Sequence, residues 1–239
     1  MYFSLITPVP GREREAAHAW ARSAGPYVEH QWLWRFFPAE AGSPRDFLFR
    51  RRDADGLPRF YVVSQRPPVP AADAWLIHPR DYAPVLEIGD RLQFELRANP
   101  VVTHSRTGKR TRHDVVIEAK KTLLVERGLN KWEDWKPDRI QPDGSPDPRP
   151  ELYELVQEHA GAWLSDRAPL RGFAVDQKCL AVEAYQQHGS KKEGQLRIST
   201  VDFSGELTVT DPNLFGKTLR EGIGHAKAFG CGLLLVRRV

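Results

Sequence analysis

One order of secondary structure occurs twice along this chain, and that repetition limits the fold more than any single motif. Residues 1–9 read as a strand, and residues 12–23, charged and alanine-rich, as a helix. Gly25-Pro26 ends that helix. Pro26, whose fixed φ suits a first helical turn, opens a second helix over 27–37, which Pro38 closes. Residues 46–51 and 59–65 read as strands about Asp55-Gly56, a hairpin signal. A proline-rich stretch follows, then a short helical piece near 71–76 and the alternating strand Leu92-Gln93-Phe94-Glu95-Leu96-Arg97. The second half offers a basic loop (105–112), a strand at 113–117, an extended insertion with five prolines over 136–150, and a helix at 151–164. Strands at 179–185, 196–203 and 206–210 come next. Asp211 then caps a helix that Pro212 opens, and a last strand ends the chain. The expectation is an α+β protein of two tandem ferredoxin-like (RRM-like) βαββαβ domains, residues 1–100 and 101–239.

A length of 239 residues with 41% apolar content suits one large or two small domains. The net charge of +4 and pI near 9.1 favour anionic partners. The charge is also clustered. Arg97, Arg106, Lys109, Arg110, Arg112, Lys120 and Lys121 face only Asp114 and Glu118 over 97–121, which reads as a phosphate-tracking surface. Cys179 and Cys231 lack metal-ligand spacing and read as reduced core thiols of a cytoplasmic protein. Residues 1–9 lack a charged leader, and no apolar run approaches membrane-spanning length, so no membrane association is expected.

Gly222, Gly224, Gly230 and Gly232 bracket His225 and Lys227 in a loop before the final strand. Such a loop can turn N–H groups towards phosphate oxygens. It is not the dinucleotide fingerprint, whose third glycine falls on Lys227 here. A structural turn accounts for the glycines equally well.

On a helical wheel over 27–37, Val28, Trp32, Leu33 and Phe36 form one side, for packing on a sheet. Tyr27, His30, Gln31 and Trp34 form the other, with Arg35 beside them. An ordinary solvent-facing surface is the alternative to a site. Histidine, tyrosine and arginine together supply what metal-free RNA cleavage needs. Histidine moves protons near neutral pH, and arginine holds phosphate in a two-pronged fork. No Asp/Glu/His cluster with metal-ligand spacing occurs, so neither a metal nor another cofactor is expected.

Several segments are similar to one family: Met1-Tyr2-Phe3-Ser4, the block from Tyr27 to Pro38, Phe94 to Pro100, Thr107-Gly108-Lys109-Arg110, and most closely Gly222 to Leu234. The chain resembles the CasE family, the CRISPR repeat-processing endoribonucleases of the type I-E Cascade complex. The resemblance implies tandem ferredoxin-like domains. It implies binding of the CRISPR repeat hairpin RNA, metal-independent cutting at the 3′ base of the stem, and retention of the crRNA product beside the other Cascade subunits. It puts the catalytic histidine at His30, its tyrosine at Tyr27 and a basic partner at Arg35. It puts an RNA-groove hairpin at Lys191 and Lys192 and the glycine loop at 222–232. The expected RNA-binding set is Arg97, Lys109, Arg110, Arg112, Lys191, Lys192, Gly222, Gly224, His225 and Lys227. The chain departs from the pattern in a long 12–24 segment, in the insertion near 120–150, and in a hairpin poor in arginine. The rival reading is a non-catalytic RNA-binding subunit of a ribonucleoprotein. The first-half strands lack the signature by which RRM sheets stack bases.

Overall fold

The computed structural model describes residues 1–21, 26–106, 108–190 and 196–239; the side chains of 19–21, 26, 27, 106, 109, 190, 196 and 197 lie outside that description. Strands β1 (Tyr2–Pro8), β2 (Phe47–Ala54), β3 (Leu57–Ser64) and β4 (Trp75–Asp81) form an antiparallel sheet in the order β2-β3-β1-β4. Asp55 and Gly56 turn the β2–β3 hairpin with φ of 55° and 75°. Two positive φ values in a row give the turn whose twist matches paired strands. Helices α1 (Glu13–Ala21) and α2 (Pro26–Leu33) connect β1 to β2.

Two expectations change in this half. Residues 71–76 form no helix. Pro67, Pro68 and Pro70 keep the preceding chain extended, and Trp75 instead opens β4, its ring 4.6 Å from that of Trp32. β4 lies at the sheet edge, where Pro79 costs no ladder hydrogen bond. The alternating strand expected to complete the first domain, β5 (Arg91–Ala98), belongs to the second sheet. Alternation reveals a half-buried strand but not its partners.

The second sheet is ordered β11-β5-β10-β8, with β8 at Phe173–Val175, β10 at Leu196–Val209 and β11 at Leu234–Arg238. Strand β9 (Ala181–Ser190) continues along the same long β10. The two strands expected at 196–203 and 206–210 are thus one. Counted from β5, both this sheet and the first follow the 4-1-3-2 order of a ferredoxin-like unit. Helices α4 (Leu152–Arg167) and α5 (Pro212–Glu221) provide the crossovers of the second unit. Asp211 caps α5 by accepting from the N–H groups of Asn213 and Leu214.

Between β5 and α4 the chain inserts a ribbon, β6 (Val101–Arg106) with β7 (Lys109–Asp114), and helix α3 (Val115–Glu126). The basic loop expected at 105–112 is this ribbon, and the strand expected at 113–117 is the end of β7 and the start of α3. Cys179, expected in the core, is exposed, whereas Cys231 is buried and its thiol is pushed up to about 12 by desolvation. Among the described residues no helix is long and apolar enough to cross a membrane.

The two sheets face each other, and the alternation of β2 shows how. Phe47 and Phe49 join the core under α2, while Leu48 packs with Val63 and Leu233 between the sheets. Arg50, buried on the Leu48 side, lies 3.6 Å from Asp202 and 3.7 Å from Glu95 of the second sheet. Asp202 also receives a two-pronged pair of hydrogen bonds from Arg97, at 2.8 and 2.7 Å.

Candidate nucleic-acid cleavage site

Helix α2 stops at Leu33 and tightens into a 3-10 turn, Trp34–Phe36. The approach of Pro38 disfavours continued α geometry at Phe37, which leaves the helix at φ −130° and ψ 62°. The tightening moves Trp34 off the solvent side assigned by the wheel. Its ring packs edge-on against buried Phe47 at 5.2 Å, and its indole N–H donates to Nε2 of His30 at 3.1 Å. His30 is therefore half-buried, its ring 6.3 Å from that of Phe47, and its Nδ1 is buried with no hydrogen-bond partner among the described residues. Accepting from Trp34 leaves Nε2 unprotonated. Desolvation and the positive charge of Arg45 both hold the imidazole below its ordinary pKa. The result is a neutral histidine in its proton-accepting form.

The other two expected catalytic residues are placed differently. Tyr27 lies one turn before His30 on α2, but its side chain is outside the described residues. Arg35 is exposed and donates to the carbonyl of Ala71 at 3.3 Å, turning towards the proline-rich stretch. The cation that acts on His30 is Arg45, which is absent from the set expected on sequence. Arg45 lies just before β2, its guanidinium 5.9 Å from the centre of the Phe47 ring. Its Nε and Nη1 are buried without partners among the described residues. Each buried donor left unpaired costs about 1–3 kcal/mol. The one sequence signal for it is its place directly before an apolar strand.

The glycine loop arrives beside α2 from the far end of the chain. Its short 3-10 turn, Lys227–Phe229, packs against α2. Gly222 and Gly232 cross so closely that a β-carbon on Gly222, already at φ 75°, would lie 2.7 Å from the Gly232 carbonyl oxygen. A β-carbon on Gly230 would lie 3.2 Å from the Phe49 ring. Close packing within the loop at Gly222 and Gly232, and against the first half at Gly222 and Gly230, therefore requires these glycines. What the loop presents is side chains. Lys227 donates to the Glu221 carbonyl at 2.7 Å, and burial, then the charges of Arg171 and Arg45, lower its pKa. His225 is exposed, and partial burial of its ring, then Arg112, Lys227 and Arg167, lowers its pKa. These mutual influences trace a cationic band from Arg45 through Lys227 to Arg167, Arg171 and Arg112.

On β7, Arg110 and Arg112 are exposed and two residues apart, so they share one face of the ribbon. Lys109 lies on the same strand with its side chain outside the described residues, as are Lys191 and Lys192 altogether. Arg97 is set apart from the band, both prongs of its guanidinium being engaged by Asp202. Among the described residues no group of three or more His, Cys, Asp or Glu side chains is placed to hold a metal ion.

The model of the family described as "CRISPR associated protein" matches residues 1–238. The chain is 30% identical over 221 residues to the CRISPR system Cascade subunit CasE of Escherichia coli (strain K12), covering 91% of this chain and 94% of that protein. It is 28% identical over 225 residues to the CRISPR-associated endoribonuclease Cse3 of Thermus thermophilus, covering 89% and 90%. The solved structure of Thermus thermophilus Cse3 bound to an RNA representing a pre-cleavage complex shares the fold, with a TM-score of 0.63, 24% identity, and coverage of 99% and 98%. Matched along nearly all of its length, the chain belongs to the CRISPR-associated protein family that includes CasE and Cse3.

Proposed function

We propose that the protein is a metal-independent endoribonuclease that binds the CRISPR repeat hairpin, cuts precursor CRISPR RNA at the 3′ base of the stem, and stays with the crRNA as a Cascade subunit in the cytoplasm. The observation that carries this reading is the placement of a neutral, desolvated His30 at one end of a cationic band drawn from both halves. The names of CasE and Cse3 support it.

The chemistry follows from those groups. The 2′-hydroxyl upstream of the cut gives its proton to His30 Nε2, once the Trp34 indole gives way, and its oxygen attacks the adjacent phosphorus. The P–O5′ bond breaks, the departing 5′-oxygen takes a proton from solvent water, and His30 returns to solvent the proton it accepted. The products carry a 2′,3′-cyclic phosphate and a 5′-hydroxyl. The band offsets the charge that builds on the phosphorane, and the stem holds the attack in line. Tyr27 and Arg35 complete the catalytic set, Tyr27 from the turn preceding His30. The RNA-binding set is Arg110, Arg112, His225 and Lys227, with Lys109, Lys191, Lys192 and the backbone at Gly222 and Gly224. Arg97 reaches RNA only by giving up Asp202.

The test is incubation of purified protein with end-labelled repeat RNA in chelator, with the product ends identified. A gel shift without cutting would instead support the non-catalytic RNA-binding subunit. Two further results are expected. As a base, His30 works unprotonated, so falling pH removes activity only below its folded-state pKa. That pKa is depressed, so the single-turnover rate stays level down past the ordinary histidine value of about 6.5. A rate that falls with rising pH near neutrality would reverse the assignment to that of an acid. Replacing Arg110 and Arg112 by alanine lowers the slope of log affinity against log salt by about 0.7–0.9 for each phosphate no longer neutralised. Filter binding across salt concentrations measures this, and an unchanged slope would leave both in solvent.

A further inference from the structure

We infer that Arg45 is a catalytic residue that grips the non-bridging oxygens of the scissile phosphate; this rests on reading the site as a ribonuclease centre. Arg45 is marked first by what it lacks. Its Nε and Nη1 are buried without acceptors among the described residues. The same two atoms of Arg50 are also unpartnered, but Arg50 lies 3.6 Å from Asp202 and 3.7 Å from Glu95, and Arg51, Arg66, Arg91 and Arg97 all hold carboxylates within 3.0 Å; among the described residues Arg45 has no such ion pair. Nε and Nη1 lie on opposite sides of the guanidinium and do not form one edge; the fork that Nη1 can offer is the outer end it shares with Nη2, whose two parallel N–H groups match two oxygens of a phosphate. Buried donors left unfilled in a half-buried place call for an anion that arrives with a ligand.

Location identifies which anion. Arg45 and His30 share one platform, the buried ring of Phe47. The guanidinium lies 5.9 Å and the imidazole 6.3 Å from its centre. Phe47 is fixed from below by Phe37, stacked at 4.5 Å and 17°, and from the side by Trp34 at 5.2 Å. Both functional groups are therefore held by the same rigid support, as a proton acceptor and a phosphate grip must be if they act on adjacent atoms. Arg45 also acts on Lys227, so the phosphate it holds lies where the glycine loop meets α2. The opposite charge nearest to it by sequence, Asp46, is engaged by Arg66 at 2.6 Å and does not neutralise it.

Such a grip differs from a general role in RNA affinity. A residue that holds the reacting phosphate stabilises charge that grows in the transition state, so its loss appears in the rate rather than in binding. The experiment measures wild type, Arg45→Ala and Arg45→Lys by single-turnover cleavage of the repeat RNA. Affinity is measured on the same RNA carrying one 2′-deoxy nucleotide at the cut. Arg45→Ala is expected to cut about 10²–10³-fold more slowly, the loss typical of a missing oxyanion donor, with affinity changed much less. Arg45→Lys, which keeps the charge without the fork, should fall between. A single phosphorothioate at the scissile position adds a readout that a packing defect does not move. One diastereomer should slow the wild type, and that sensitivity should largely vanish in Arg45→Ala, because the two changes remove the same interaction. Equal cutting by Arg45→Ala and wild type, parallel losses of rate and affinity, or an undiminished sulfur effect in Arg45→Ala would each overturn the assignment while leaving the ribonuclease reading in place. Absence of cutting by the wild type would overturn both. If Arg45→Ala does not fold, the sulfur effect in Arg45→Lys decides.

Discussion

Repeat RNA carrying one 2′-deoxy nucleotide immediately upstream of the scissile phosphate is bound normally and not cut. The expectation comes from the nucleophile. In the proposed reaction the attacking oxygen belongs to the RNA and already sits beside its phosphorus, an advantage that can reach about 7–11 kcal/mol when the approach is in line. Deleting that oxygen leaves nothing in its place, since His30 accepts a proton but donates no atom to phosphorus. Binding survives because one hydroxyl is a small part of a hairpin interface dominated by phosphate contacts. Denaturing gels report cutting, and a gel shift reports affinity. Normal cleavage of the deoxy substrate would show that water is the nucleophile. A strict magnesium requirement with the all-ribose substrate would return the site to the metal-dependent nucleases.

His30→Ala should lower the single-turnover rate by about 10²–10⁴-fold, the usual contribution of a positioned proton-transfer group. Binding of the uncleavable RNA should persist. The structure adds a control, because His30 does two things: it offers a proton acceptor and it receives the Trp34 indole N–H at 3.1 Å. His30→Gln can still accept from Trp34 but takes no proton at neutral pH. If both variants lose activity alike, proton transfer is the role that matters. If the glutamine variant cuts as well as wild type, His30 only fixes Trp34 and the base lies elsewhere.

Most of the architecture was legible in local signals. Pro26, Asp55-Gly56 and Asp211-Pro212 each mark a real boundary, because each acts through its own backbone geometry. Partnership was not legible. Leu92 to Arg97 shows clean alternation, yet nothing within it states that its neighbours are β10 and β11. The site divides along the same line. His30 stands out by its place on a helix. Arg45 does not, because what distinguishes it is the set of acceptors it lacks, and the chain records no absences. Trp34 was misplaced for a different reason: the wheel assumed constant pitch through a helix end that tightens. The glycine loop was legible as a turn that needs glycine, but its packing reason, the crossing of Gly222 and Gly232 and the nearby face of Phe49, was not.

The packing of the Lys227 turn against α2 also bears on when the protein becomes active during synthesis. His30 emerges before Lys227 and can be held by its own sheet once β4 has formed. Lys227 follows after both sheets' other strands, and β11, which anchors its loop by pairing with β5, comes later still. Domains generally fold as they leave the ribosome, amino-terminal first. The first half can thus mature around a histidine that still lacks the far half of its charge. A truncated chain ending before the glycine loop would carry the proton acceptor without Lys227, leaving an interrupted product of translation poorly equipped to cut RNA.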